Sequence, residues 1–90
     1  MVEVIYMDNA ATTYPKPESV YDAVDHFNRF MGGNPGRGSS RSTLEAGSVV
    51  LQTREALAKL FNIEDSSRIA FTYNVTDAIN IGLKGILKPG

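Results

Sequence analysis

The chain has 90 residues, 42% of them hydrophobic, with 9 Lys and Arg against 10 Asp and Glu and a formal charge of −1. That length allows at most one small domain, and the balanced charge excludes the basic footprint of a nucleic-acid or anionic-membrane binder. Cysteine is absent, which excludes disulfides, thiolate metal sites and thiol nucleophiles within these residues.

The opening Met1-Val2-Glu3-Val4 lacks the basic segment and long apolar core of a signal peptide. No apolar run approaches the roughly 18–20 residues needed to span a bilayer. The chain therefore reads as soluble and cytoplasmic, and the glycosylation sequon at Asn74-Val75-Thr76 as a chance match. Val2 to Tyr6 is a short β-prone run, an edge strand or an extended arm. Asp8 to Pro15 has no period; its small residues beside Asn and Thr suit either a surface loop or a backbone that comes close to something else.

Lys16-Pro17-Glu18 opens the first helix, with proline at an early helical position and glutamate in the first turn. Val20, Ala23, Val24, Phe27, Phe30 and Met31 recur at i, i+3, i+4, i+7 spacing and form one apolar face. His26, the only histidine, falls on the opposite, solvent-facing side, and Gly32-Gly33 ends the helix. The following loop, Gly33 to Ser42, resembles a phosphate loop only superficially. A Walker A motif needs lysine at position 39, where Ser39 stands, and a dinucleotide fingerprint needs glycine at position 41, where Arg41 stands. Both also require a preceding strand, and this loop follows a helix. It remains a donor-rich loop with two arginines, either a solvated linker or a surface facing an anion or another subunit.

Ser42-Thr43-Leu44-Glu45 reads as a capping box for the second helix. Ala46, Val49, Val50, Thr53, Leu57, Leu60 and Phe61 continue as a core stripe to about Asn62. After a polar turn from Ile63 to Ser67, Arg68 to Tyr73 reads as the second strand. The third helix starts near Val75 and carries Ile79, Leu83, Ile86 and Leu87 on one face. Gly82 and Gly85 weaken it by about 1 kcal/mol each relative to alanine, and would allow close packing on a sheet.

The strand-to-helix turn at Tyr73-Asn74-Val75-Thr76-Asp77 is the strongest functional candidate. Asn74 suits the N-cap and Asp77 the first turn. Backbone N–H groups converging at the positive end of a helix dipole bind anions, phosphate most often, and the Thr76 hydroxyl adds a donor. The same pattern also serves simply to cap a helix. Two separated strand candidates are too few for a self-sufficient sheet, and Leu87-Lys88-Pro89-Gly90 reads as the exit from a helix. The expectation is the N-terminal piece of a longer protein.

Four stretches together resemble one known family. They are Tyr6-Met7-Asp8-Asn9-Ala10-Ala11-Thr12-Thr13, the loop pieces Gly33-Asn34-Pro35 and Gly38-Ser39, the helical run Arg54 to Phe61, and Phe71 to Asn80. In this order and spacing they are similar to the N-terminal part of cysteine desulfurases and related class V aminotransferases, which are pyridoxal-phosphate enzymes. The resemblance runs essentially from end to end. It implies an α/β, fold type I enzyme, with residues 1–15 as an arm and 16–90 as the start of the large cofactor-binding domain. Val75 and Thr76, with Asn74, match the cofactor-phosphate site; Asn9, Ala10, Ala11 and Thr12 match the substrate side of the pocket. The glycine loop matches a region near the active site and dimer interface, although relatives often carry His where Ser40 stands.

The implied reaction takes sulfur from L-cysteine or a related amino acid, leaving alanine and an enzyme persulfide, in a homodimer that serves a sulfur-acceptor protein and iron–sulfur cluster assembly. An aminotransferase or selenocysteine lyase of the same class is the alternative, and a non-catalytic helical binding module a more distant one. The family's Schiff-base lysine, pyridinium-binding aspartate, ring-stacking histidine and catalytic cysteine match no position here, so the 90 residues are expected to be inert by themselves.

Overall fold

The computed structural model describes residues 3–90. They form three α-helices, α1 (Glu18–His26), α2 (Arg41–Leu60) and α3 (Val75–Ile86), joined by loops and two short irregular helical turns. The chain divides into two compact units whose boundary in sequence lies within α2, between Val49 and Val50.

In the first unit, α1 starts after Pro17, whose φ of −55° and ψ of 142° set the chain up for the helix without being part of it. Its last turn widens into a π-helical stretch, Phe27–Met31. The widened turn closes where the Gly32 amide donates to the Phe27 carbonyl at 2.9 Å, and Gly32 takes the left-handed conformation at φ 52°. The expected helix and its glycine stop are therefore present. Of the expected apolar face only Phe27 and Met31 are half-buried, while Val20, Ala23, Val24 and Phe30 stay exposed, and the π-helical turn departs from the α-helical period at its end.

The start of α2 differs from the expected capping box. Ser40, not Ser42, caps it: Ser40 Oγ accepts from the Thr43 amide at 3.3 Å, and the Ser40 carbonyl accepts from the Leu44 amide at 3.0 Å. Glu45 does not reach back to a cap, because it pairs with Arg41 Nε one turn earlier at 2.9 Å. Gly33 lies against this first turn. A Cβ on Gly33 would stand 2.5 Å from the Ser42 carbonyl carbon and oxygen, so only glycine fits. The donor-rich loop is thus anchored at its start, and Gly36 N–H donating to Asn34 Oδ1 at 2.9 Å shapes its middle. Ala46, 0% exposed, and Thr43 are the buried residues among those described in this unit.

In the second unit α2 ends in a Schellman motif. The Ile63 amide donates to the Ala58 carbonyl at 2.8 Å and the Asn62 amide to the Lys59 carbonyl at 3.3 Å. Asn62 supplies the left-handed residue at φ 56°. Ala58, 4% exposed, is the buried residue here; it lies one position from the expected Leu57, which is half-buried. A 3₁₀ turn, Ser66–Arg68, follows, capped by Asp65. Leu60 and Phe61, expected in the core stripe, are exposed.

Neither expected strand is assigned among the described residues. Val2 lies outside them, and Glu3 to Tyr6 carries no regular structure. Ile69 is extended at φ −97° and ψ 119°, yet residues 69–72 have no neighbouring strand among the described residues to exchange ladder bonds with. β-propensity is a readiness to pair, and pairing needs a partner. No helix among the described residues is long and apolar enough to cross a membrane.

Candidate functional site

The turn leading into α3 is built from several local bonds. Thr72 Oγ1 donates to the Asn74 carbonyl at 3.0 Å, which bends the extended segment toward the helix. Asn74 is extended at φ −164° and ψ 176°, and its Oδ1 accepts from the Asp77 amide at 2.8 Å. The Asn74 carbonyl then accepts from the Ala78 amide at 3.1 Å, the first bond of the helix. Asn80 Nδ2 donates to the Thr76 carbonyl at 2.9 Å and adds a side-chain strut over the first turn.

This arrangement divides the donors at the helix end. The cap consumes the Asp77 amide, while the Val75 and Thr76 amides precede the first intrahelical bond. Both residues are exposed, and Thr76 adds its hydroxyl. Two amides and a hydroxyl at the positive end of a 12-residue helix make a donor set suited to a phosphate, with no cationic side chain needed. The Asn74 amide oxygen, by contrast, is occupied by the cap, so Asn74 holds the turn in shape. Beside it opens a cavity of about 420 Å³ lined by Phe71, Thr72, Tyr73, Asp77 and Ile81.

Upstream, two devices hold the segment that enters this turn. Asp65 Oδ1 accepts from the Ser67 hydroxyl at 2.7 Å and the Ser67 amide at 3.0 Å. The Ser67 hydroxyl first, and its amide second, hold the Asp65 carboxyl below the usual aspartate range against a small opposing effect of burial. Arg54, on α2, donates from Nε to the Ile69 carbonyl at 3.0 Å, and its guanidinium carbon lies 5.2 Å from the centre of the Phe71 ring. Reading the second helix as an apolar stripe overlooks Arg54. The signal is there: a lone cation at i+4 from Val50 and i−3 from Leu57, in line with apolar positions.

The other candidate segment belongs to the first unit. Asp8 to Thr12 is a turn in which the Asp8 carbonyl accepts from the Ala11 amide at 3.1 Å. The Tyr6 hydroxyl stands 2.9 Å from the Thr12 carbonyl and 3.1 Å from that of Asp8, sharing one proton between them. Asn9 Oδ1 accepts from the Tyr14 amide at 3.3 Å, and the Tyr6 and Tyr14 rings meet edge to face with centroids 5.5 Å apart. Asn9, Ala10, Ala11 and Thr12 thus occupy the exposed crest of a loop stapled by two tyrosines. The Tyr6 staple is a second feature that periodicity does not reveal. No group of three or more His, Asp or Glu among the described residues is placed to hold a metal ion.

The family model described as Aminotransferase class-V matches residues 5–90, and the chain belongs to that family. Among curated relatives, a probable cysteine desulfurase of Treponema pallidum is 36% identical over 78 residues, covering 87% of this chain and 19% of the relative. One from Vibrio cholerae shows the same identity and coverage. One from Ureaplasma parvum is 35% identical over 92 residues, 98% of this chain and 22% of the relative. The chain spans about a fifth of the length of the curated relatives it matches. No solved structure matches it.

Proposed function

We propose that this chain is the N-terminal part of a pyridoxal-phosphate-dependent cysteine desulfurase, and that the turn at Asn74-Val75-Thr76 holds the cofactor's phosphate. The observation that carries the reading is the division of amides at α3: with Asp77 N–H taken by Asn74 Oδ1, the Val75 and Thr76 amides and the Thr76 hydroxyl are left facing outward. That donor set fits a phosphate in number and kind. When bound, pyridoxal phosphate supplies the electron sink that labilises bonds at the amino-acid α-carbon and side chain. The residues of this chain bind and orient: Val75 and Thr76 fix the phosphate, Asn74 keeps the turn closed, and the crest Asn9 to Thr12 lines the substrate side.

In this reading the full protein takes sulfur from L-cysteine, leaving L-alanine, with the sulfur carried as a persulfide on an enzyme cysteine. A cytoplasmic homodimer that hands sulfur to an acceptor protein for iron–sulfur cluster assembly is the corresponding setting, with the α/β sheet of a fold type I domain completed by further chain. The open apolar residues Ile79, Leu83 and Ile86 of α3 support that last point, since a helix with one such face ordinarily packs it on a sheet or helix.

The test is the full-length protein supplied with pyridoxal phosphate. A visible absorption band of bound cofactor, a lysine adduct after borohydride reduction, and alanine released from L-cysteine are the expected results. Absence of both band and adduct refutes the cofactor assignment; cofactor binding without alanine formation moves the protein to another class V reaction.

A further inference from the structure

We propose that Arg54 is a positioning residue for the phosphate turn: it locks the register of the extended segment that delivers Asn74, Val75 and Thr76. The inference rests on the assignment of that turn to the cofactor phosphate. Its evidence is geometric and independent of the turn itself. Arg54 Nε donates to the Ile69 carbonyl at 3.0 Å across 15 residues of sequence, and the same guanidinium lies over the Phe71 ring at 5.2 Å. Ile69 and Phe71 are two apart, so in an extended chain their side chains share one face. One cation therefore holds the segment at two points, the backbone carbonyl of Ile69 and the ring of Phe71.

A slip of one residue would put Ala70 and Thr72 where Ile69 and Phe71 now stand, and would turn every later side chain to the opposite face. The Thr72–Asn74 and Asn74–Asp77 bonds are local and would travel with the segment, so the slip would carry the whole turn, and with it the Val75 and Thr76 amides, to a new place relative to α2. Among the described residues no ladder bond runs along this segment, and Arg54 is the side chain of α2 seen to hold it at two points. A planar guanidinium is well matched to this double contact. Its N–H groups lie in the plane that reaches the carbonyl, and its flat face meets the ring. Lysine offers a compact ammonium and cannot do both. Arg54 is half-buried, as are Leu57 and Ile69, and Ala58 beside them is buried, so the contact lies in the least exposed part of this unit.

The test compares pyridoxal phosphate with pyridoxal, which lacks the phosphate, in binding titrations of full-length Arg54→Lys, Phe71→Leu and Thr76→Ala proteins. A residue that only supports the fold weakens both ligands alike. A residue that sets the phosphate turn weakens pyridoxal phosphate and spares pyridoxal. The expected result for Arg54→Lys is a loss of about tenfold for pyridoxal phosphate, the scale of one or two hydrogen bonds to a charged group, with pyridoxal changed less than about twofold. Phe71→Leu, which keeps the carbonyl bond and an apolar side chain, is expected to give the same selective loss at about threefold, and it decides the matter if Arg54→Lys does not fold. Equal losses for the two ligands, or none, while Thr76→Ala loses pyridoxal phosphate selectively, would overturn the role of Arg54 and leave the phosphate site standing. If Thr76→Ala itself shows no selective loss, the phosphate site falls and this inference with it.

Discussion

Asn74 can be altered in two ways that separate its capping role from its place beside an anion. Asn74→Ala removes the acceptor that holds the Asp77 amide at 2.8 Å. Losing such a cap costs about 1 kcal/mol, within a range of about 0.5–2. That corresponds to about a fivefold shift in the opening of the first turn, since about 1.4 kcal/mol is tenfold. Hydrogen exchange at the Asp77 amide in the full-length protein should speed up by about that factor. Asn74→Asp keeps the acceptor and adds a negative charge that the helix end favours, so Asp77 should stay protected. A phosphate at the Val75 and Thr76 amides would feel that new carboxylate within about one helical turn, about 5 Å. Even at the dielectric of bulk water, a unit charge against a phosphate of nearly two charges at that distance costs at least about 1 kcal/mol. Pyridoxal phosphate affinity should therefore fall about fivefold or more in Asn74→Asp while the cap survives. Unchanged affinity in a protein whose Asp77 amide is still protected would refute a phosphate at this turn. Unchanged exchange in Asn74→Ala would refute the cap.

Three further outcomes follow from the local geometry. Gly33→Ala places a methyl 2.5 Å from the Ser42 backbone, and a backbone neighbour cannot rotate away, so a loss of about 1–3 kcal/mol in denaturant unfolding is expected. Ser40→Ala should destabilise α2 by about 1 kcal/mol while Ser42→Ala changes it little; the reverse order in unfolding measurements would restore the capping box at Ser42. Asp65 is held below the usual aspartate range by Ser67, so folding gains from its charged form above about pH 4 and loses that gain as pH falls through the lowered value. An NMR titration should find Asp65 deprotonating below the ordinary range, and Ser67→Ala should move its midpoint up.

What the sequence discloses tracks the distance over which each feature is decided. The Asn74 cap is set between residues three apart, and it is found where the residue types predict it. The glycine stop after Met31 is equally local. The start of α2 is ambiguous in sequence because Ser40 and Ser42 are equally good caps by residue type. The ion pair of Arg41 with Glu45 removes the acid that the box at Ser42 requires. Propensity cannot place the strands, since their pairing depends on chain that residues 69–72 do not meet here. For the proposed site, the first-turn amides and the Thr76 hydroxyl can be read from the turn, while the pairing of Val75 with Thr76 comes from the family resemblance. Arg54 is not legible in this way, because its contacts to Ile69 and Phe71 close a loop of 15 residues or more, which helical periodicity does not describe.

The two capped helices differ in what surrounds their first turns, which bears on the proposed anion site at α3. At α2, as at α3, a side-chain oxygen takes the amide three residues on, Ser40 with Thr43 in one case and Asn74 with Asp77 in the other. Each cap should leave two earlier amides unbonded, and dipole and capping alone predict two equivalent sites. Gly33 breaks the equivalence. Its α-carbon sits so near the Ser42 backbone that not even a methyl fits between them, and Ser40 Oγ is also committed to Thr43 Oγ1 at 2.9 Å. The chain's own loop thus packs against the first turn of α2 at the Ser42 carbonyl and the Thr43 amide. No such segment among the described residues covers the start of α3, where Tyr73 is 98% exposed and Val75 72%. The glycine-rich loop, which looks from composition like a phosphate binder, is packed against the first turn of α2, while the residues at the start of α3 stay exposed.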